Sequence, residues 1–223
     1  MIETTPVTDI LTVAARGHVA EAEPRWAPAG GWQAGLPVLA GERVVLREVA
    51  GSDASALASM VGAGQLPAFM SSFPATREGF ARYIDLLIGE RGHGRAACFA
   101  VVPAGCSQAV GLIEIRPRRE AGRPAEWIFA ISPQFWGLGI FQEAAQMVVD
   151  FAFTAMGVNR LEARVAVKNG RGNGALSKLG ASQEAVLRNS LVCGGERLDE
   201  VLWTIVNGDW RCYRSDLTTP HIH

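Results

Sequence analysis

Residues Glu126–Ala145, EWIFAISPQFWGLGIFQEAA, constrain this chain more than any other stretch. Glu126 to Ile131 is short, apolar and rich in aromatic and β-branched residues, and Ser132-Pro133 closes it, so it reads as a strand. Gly137 and Gly139 then permit a tight turn and a close backbone approach to a ligand. From Ile140 onward, Phe141, Ala144, Ala145, Val148, Ala152, Phe153 and Met156 recur at three- and four-residue spacing, the signature of one face of an amphipathic helix. A strand that feeds glycines into a helix start aims unbonded N–H groups and the positive end of the helix dipole at one point, which suits a phosphate. The pattern is neither a Walker loop, since no Gly-Lys-Ser or Gly-Lys-Thr follows, nor a complete GxGxxG, since Glu143 and Ala144 stand where the third glycine would fall.

The rest of the chain gives this turn its setting. Glu42–Val49 alternates as a first strand, and Ser52 or Asp53 caps a helix running to about Met60. Thr76 opens a second helix with Phe80, Ile84, Leu87 and Ile88 on one face. Strands are expected at Ala97–Val102 and Ala109–Ile115. After the long helix, a strand at Arg160–Val167, a short helix at Gly174–Leu179, and a hairpin of Val186–Val192 and Leu198–Val206 around Gly194-Gly195 follow. Antiparallel strands followed by a strand–helix–strand unit predict an α/β (α+β) domain: a mixed, mostly antiparallel twisted sheet of about seven strands with helices on both faces. Residues 1–38, with four prolines and Gly30-Gly31, read as an N-terminal arm that Trp26 and Trp32 pin to the domain; residues 39–210 form the domain and 211–223 a tail.

Composition narrows the function. A formal net charge of −1 over 223 residues argues against a nucleic-acid binder. No apolar run reaches the length of a membrane span, and the N-terminus lacks the form of a secretory signal, so a cytoplasmic protein is expected. Cys98, Cys106, Cys193 and Cys212 contain no CxxC pair and read as reduced, mostly structural thiols. His18, His93, His221 and His223 avoid every core segment, which disfavours a histidine triad or a zinc site; no metal is expected. The arginines at 116, 118, 119 and 123 read as a solvated hairpin tip.

Three motifs together resemble the GNAT superfamily of acetyl-CoA-dependent N-acetyltransferases, most nearly its ribosomal-protein alanine/serine (RimJ/RimL-like) type. They are Glu126–Pro133, the loop Trp136-Gly137-Leu138-Gly139-Ile140-Phe141, and Asn169 eleven residues before Gly180. The likeness covers about residues 40–210. It implies acetyl-CoA as co-substrate, a primary-amine acceptor such as a protein N-terminus or a small amine, direct acetyl transfer, and a monomer or homodimer. It also implies that the two strands flanking the long helix splay apart, with Phe129, Ala130 and Ile131 lining the gap and offering backbone groups to the pantetheine arm. Trp136 to Phe141 would then hold the pyrophosphate, and Asn169 and Arg171 would contact the cofactor, the arginine at its 3′-phosphate; the alternative for Asn169 is a turn residue that caps the next helix. Trp136 and Phe141 stand where the family commonly has Arg or Gln and Gly or Ala. Leu176 and Gly172 stand where relatives place a tyrosine or a serine as proton donor, and Ser177 is the nearest hydroxyl. Glu126, with Glu114 in reserve, is the candidate base, its pKa expected to rise beside apolar neighbours; the alternative is that either is a surface carboxylate. Phe69, Met70 and Phe73 are candidates for acceptor contact, or equally for a loop packed on the core. A catalytically inactive acyl-CoA-binding protein of the same fold is the competing class.

Overall fold

A computed structural model describes residues 31–62, 73–118 and 124–218. Its elements run β1 (Leu39–Ala40), β2 (Val44–Glu48), α1 (Ala54–Gly62), α2 (Arg77–Gly92), β3 (Ala97–Pro103), β4 (Gly111–Arg116), β5 (Ala125–Ile131), α3 (Ile140–Thr154), β6 (Arg160–Ala166), α4 (Gly170–Lys178), β7 (Ser182–Cys193), β8 (Glu196–Val206) and α5 (Asn207–Thr218). Among the described residues the sheet has eight strands in the order β1-β2-β3-β4-β5-β6-β8-β7, one more than expected because β1 is a two-residue edge. All pairings are antiparallel except β5–β6.

The core lies on both sides of the sheet. On one side Val44, Leu46, Phe99, Ile113, Trp127 and Leu161 pack under the apolar face of α3, joined by Leu176, Leu179 and Trp210 from α4 and α5. On the other, Leu57, Phe80, Ile84 and Leu87 of α1 and α2 cover Cys98, Ala100, Leu112 and Ala130. Strict alternation along β3 and β4 assigns successive residues to opposite layers, which is why both strands are apolar throughout apart from Glu114 and Arg116. Thr76 caps α2 by accepting from the Gly79 amide at 3.0 Å, as its sequence position predicts.

Two elements differ from the sequence reading. α4 begins at Gly170 rather than Gly174, because the Asn169 side chain accepts from the Gly172 amide at 2.9 Å and starts the helix four residues early. The expected tail from residue 211 is helical to Thr218: Trp210 is buried, its Nε1 donates to Asp150 Oδ1 at 2.6 Å, and its ring stacks on Tyr213. Trp32 is buried in the core; Trp26 lies outside the described residues.

Candidate active site

The β5–β6 ladder holds only two residue pairs, Ala125↔Leu161 and Glu126↔Glu162. Beyond them the strands part. Alternate residues of β5 turn their backbone groups to opposite sides: Ser132 donates to Val110 on the β4 side, so Phe129 and Ile131 face the gap. A cleft of about 460 Å³ opens there. Its walls are Phe129, Ala130 and Ile131 of β5, the Trp136–Phe141 turn, and Asn169 to Lys178 of α4.

The glycine turn closes one end. Gly137 and Gly139 have φ of +78° and +79°, a conformation that L side chains rarely adopt. Gly139 is the N-cap of α3 and has no side chain with which to cap it. The amides of Gly137, Gly139, Ile140 and Phe141 therefore have no acceptor among the described residues, as the first turn of an uncapped helix requires. Phe141 turns its ring onto Phe129, with centroids 4.5 Å apart, and so forms part of the cleft wall together with the strand. Leu138 is exposed and outside the lining, and Ile140 is buried under α3.

Trp136 organises the opposite rim. Its Nε1 donates to the Ile131 carbonyl at 2.7 Å, and Arg171 stacks over its ring with Cζ 4.8 Å from the centroid. Asn169 lines the cleft while its Oδ1 caps α4. Gln142 ties α3 to α4 by donating to the Ala175 carbonyl at 2.7 Å, and Asn173 fixes the start of α4 against the Ala166 and Asn169 carbonyls.

The candidate catalytic groups fall in three different settings. Glu126 lies in the paired part of β5, before the strands part. Its carboxylate accepts from Arg118, and Arg164 stands 3.9 Å away. The apolar surroundings expected for it are not found, because Trp127 faces the opposite layer under α3. Glu114 is fully buried on the α2 side, opposite Cys98 and Ile128. It accepts from the Tyr83 hydroxyl and from Arg116 Nε. Burial, and then the Glu114 charge, hold the Tyr83 phenol well above its ordinary value, and the same two causes push the buried Cys98 thiol up. Ser177 is exposed and outside the cleft lining: Ala175 and Lys178 share the helix face turned toward the cleft, and Ser177 lies off that face, about 100° around the helix from Lys178. Leu176 is fully buried.

Phe73 is buried against Phe80 and Tyr83, with ring centroids 6.5 and 6.4 Å away, and serves as core packing. Phe69 and Met70 lie outside the described residues, as do Arg119 and Arg123. Tyr83 and Arg43 went unnoticed in the sequence. Tyr83 meets Glu114 across 31 positions, and no local pattern marks Arg43. Among the described residues no cluster of His, Cys, Asp or Glu suits a metal ion, and no helix is long and apolar enough to cross a membrane.

A sheet parted between two central strands, with a glycine turn and helix start at the parting, defines an acyltransferase-type fold. Residues 43–182 match the Acetyltransferase (GNAT) domain family, and the chain belongs to it. Two solved structures are similar to it. RimJ from Mycobacterium smegmatis in complex with CoA-disulfide is 26% identical, with a TM-score of 0.66, over 74% of this chain and 83% of that one. The ribosomal-protein-S5-alanine acetyltransferase of Vibrio fischeri has a TM-score of 0.68 at 20% identity, over 78% of this chain and 98% of that one, a likeness of fold. Among curated sequences, the uncharacterized N-acetyltransferase p20 of Bacillus licheniformis is 24% identical over 170 residues, 76% of this chain and 96% of its own. These relations support N-acetyltransferase activity and the use of an acyl-CoA.

Proposed function

We propose that the protein transfers an acetyl group from acetyl-CoA to a primary amine by direct attack. The observation that carries this is the parting of β5 and β6 with the unbonded amides of Gly137–Phe141 at its end. A pantetheine arm carries amides along an extended chain, and the backbone of Phe129 with the Ile131 N–H offers them a strand edge. The turn amides and the α3 dipole suit a pyrophosphate. Arg171, held over Trp136 at the rim, is placed to meet the 3′-phosphate.

The amine approaches from the α2 side, where Ile128 is partly exposed next to Glu114. We assign the base to the Tyr83–Glu114 pair rather than to Glu126, which lies at the paired end of the strand, before the strands part. The Tyr83 hydroxyl passes its proton to Glu114 and takes one from the incoming ammonium, leaving a neutral amine. The amine nitrogen bonds to the acetyl carbon, the carbon–sulfur bond breaks, the thiolate departs, and the nitrogen gives up its second proton to water to leave a neutral amide. With Leu176 buried and Ser177 outside the cleft, no side-chain hydroxyl stands among the described residues that line the cleft. An alkyl thiolate is far less basic than an alkoxide and is a competent leaving group that water can protonate. The same lack of a hydroxyl is what favours the second reading, an acyl-CoA-binding protein without turnover.

Calorimetric titration with acetyl-CoA, followed by a thiol-release assay over a panel of primary amines, tests both readings. Binding with amine-dependent thiol release is expected. Binding without release over the panel leaves the second reading, and no binding removes both.

A further inference from the structure

The glycine turn has no basic residue of its own: Trp136 precedes it and Phe141 follows it. Arg43, on the turn between β1 and β2, lies directly against it. A Cβ built on Gly139 would have the Arg43 Cδ, Nε and Cζ atoms at 3.6, 3.7 and 4.0 Å as its nearest neighbours. The arginine is therefore stacked along the N-cap residue of α3, beside the unbonded amides.

Its position is built, not incidental. The Glu143 carboxylate, in the first turn of α3, accepts from the backbone amides of Glu42 and Arg43, the latter at 3.0 Å. A Cβ on Gly41 would collide with that carboxylate, so this close approach requires a glycine. The Arg43 amide is thereby fixed to the helix whose start it flanks. The guanidinium has no hydrogen bond or ion pair among the described residues, and the Glu143 carboxylate already accepts from the backbone. On the other rim Arg171 is occupied by the face of Trp136.

From this arrangement we infer that Arg43 binds the pyrophosphate of the nucleotide co-substrate, supplying from the β1–β2 turn the positive charge that the glycine turn itself lacks. The inference rests on the proposed acyl-CoA cleft. A planar guanidinium beside a row of backbone N–H groups matches a diphosphate, which offers several oxygens to both.

The test compares wild type with R43Q and R43K by calorimetry, using CoA, dephospho-CoA and pantetheine. R43Q is expected to bind CoA and dephospho-CoA about tenfold more weakly, by the same factor for each, with a shallower salt dependence. Its affinity for pantetheine, which has no phosphate, stays that of wild type, and R43K recovers part of the loss. Unchanged thermal melting of R43Q shows that the exposed side chain is not needed for folding. R43Q binding CoA as tightly as wild type overturns the inference, as does a loss seen with CoA but not with dephospho-CoA, which assigns Arg43 to the 3′-phosphate. Failure of wild type itself to bind CoA removes the cleft reading beneath it, a separately recognisable result.

Discussion

Trp136 Nε1 donates to the Ile131 carbonyl at 2.7 Å, and that carbonyl is one of the β5 groups that β6 leaves without a partner. A side chain thus occupies a backbone acceptor on the open strand edge. Phe129, two residues back, keeps its backbone groups for a ligand. Trp136→Phe keeps the aromatic packing and the surface offered to Arg171 but removes the donor. Loss of about 1 kcal/mol of unfolding free energy is expected, measured by urea denaturation, because one part-buried hydrogen bond is exchanged for water. No change in stability would mean that the bond contributes nothing.

The two turn glycines differ in what surrounds them. Gly137 has open space where a Cβ would go, whereas Gly139 has Arg43 there, and both have positive φ. Alanine at either site costs about 1–2 kcal/mol of backbone strain. Aspartate adds a charge facing the phosphate position. Gly137→Asp and Gly139→Asp are each expected to abolish acetyl-CoA binding in calorimetry, with both proteins still giving wild-type far-ultraviolet circular dichroism.

The base assignment separates two glutamates twelve residues apart in the sequence. Glu114→Gln and Tyr83→Phe are each expected to lower kcat at least about a hundredfold, the usual scale for loss of proton transfer, with little change in the acetyl-CoA KM. Glu126→Gln, which loosens an arginine-held surface carboxylate, is expected to change kcat less than about threefold. Equal losses at both glutamates would remove the distinction.

Burial and the neighbouring Glu114 charge raise the Tyr83 pKa, so folding favours its neutral form. A raised folded-state pKa gives stability that is complete below the unfolded phenol value of about 10 and declines as the pH climbs past it. Ultraviolet titration of the Tyr213→Phe variant, which leaves one tyrosine, is expected to show no phenolate while the fold persists above pH 10, and its appearance on alkaline unfolding. Ionisation of Tyr83 in the native protein near pH 10 would contradict the buried pair.

Cys98 provides a check on the same layer. Its thiol is fully enclosed and held protonated by burial and by Glu114, while Cys106 is exposed. Alkylation of the native protein at pH 8, read by mass spectrometry, is expected to label Cys106 and spare Cys98. Rapid labelling of Cys98 would show that α2 opens over the sheet.

How much of this is legible in the sequence depends on how far apart the partners are. β5, the glycine turn and α3 follow from a contiguous pattern, and the amide-lined start of α3 comes with them. Asn169 is legible as a helix cap, but the glycine-rich GRGNG reads as loop, so the helix it starts is expected four residues late. The helix after Val206 was missed because its anchor, Trp210 on Asp150, spans 60 positions. The two glutamates carry no local sign of environment: Glu114 and Glu126 both sit in apolar strands, and only the pairing of β4 with β5 and the packing of α2 separates a buried carboxylate from a surface ion pair. Arg43 lies on the turn before β2 and shows no relation to the glycine turn until Glu143 joins the two.

The two-pair ladder between β5 and β6 makes the sheet a pair of panels, one of five strands and one of three, sewn together by a short seam and by α3. A ligand amide lying in the gap lengthens that seam by standing in for the absent strand. Occupancy should then be felt as mechanical closure: the backbone amides of β5 beyond the seam, quick to exchange with solvent in the empty protein, slow when the cleft is filled, while those between β6 and β8 exchange as before.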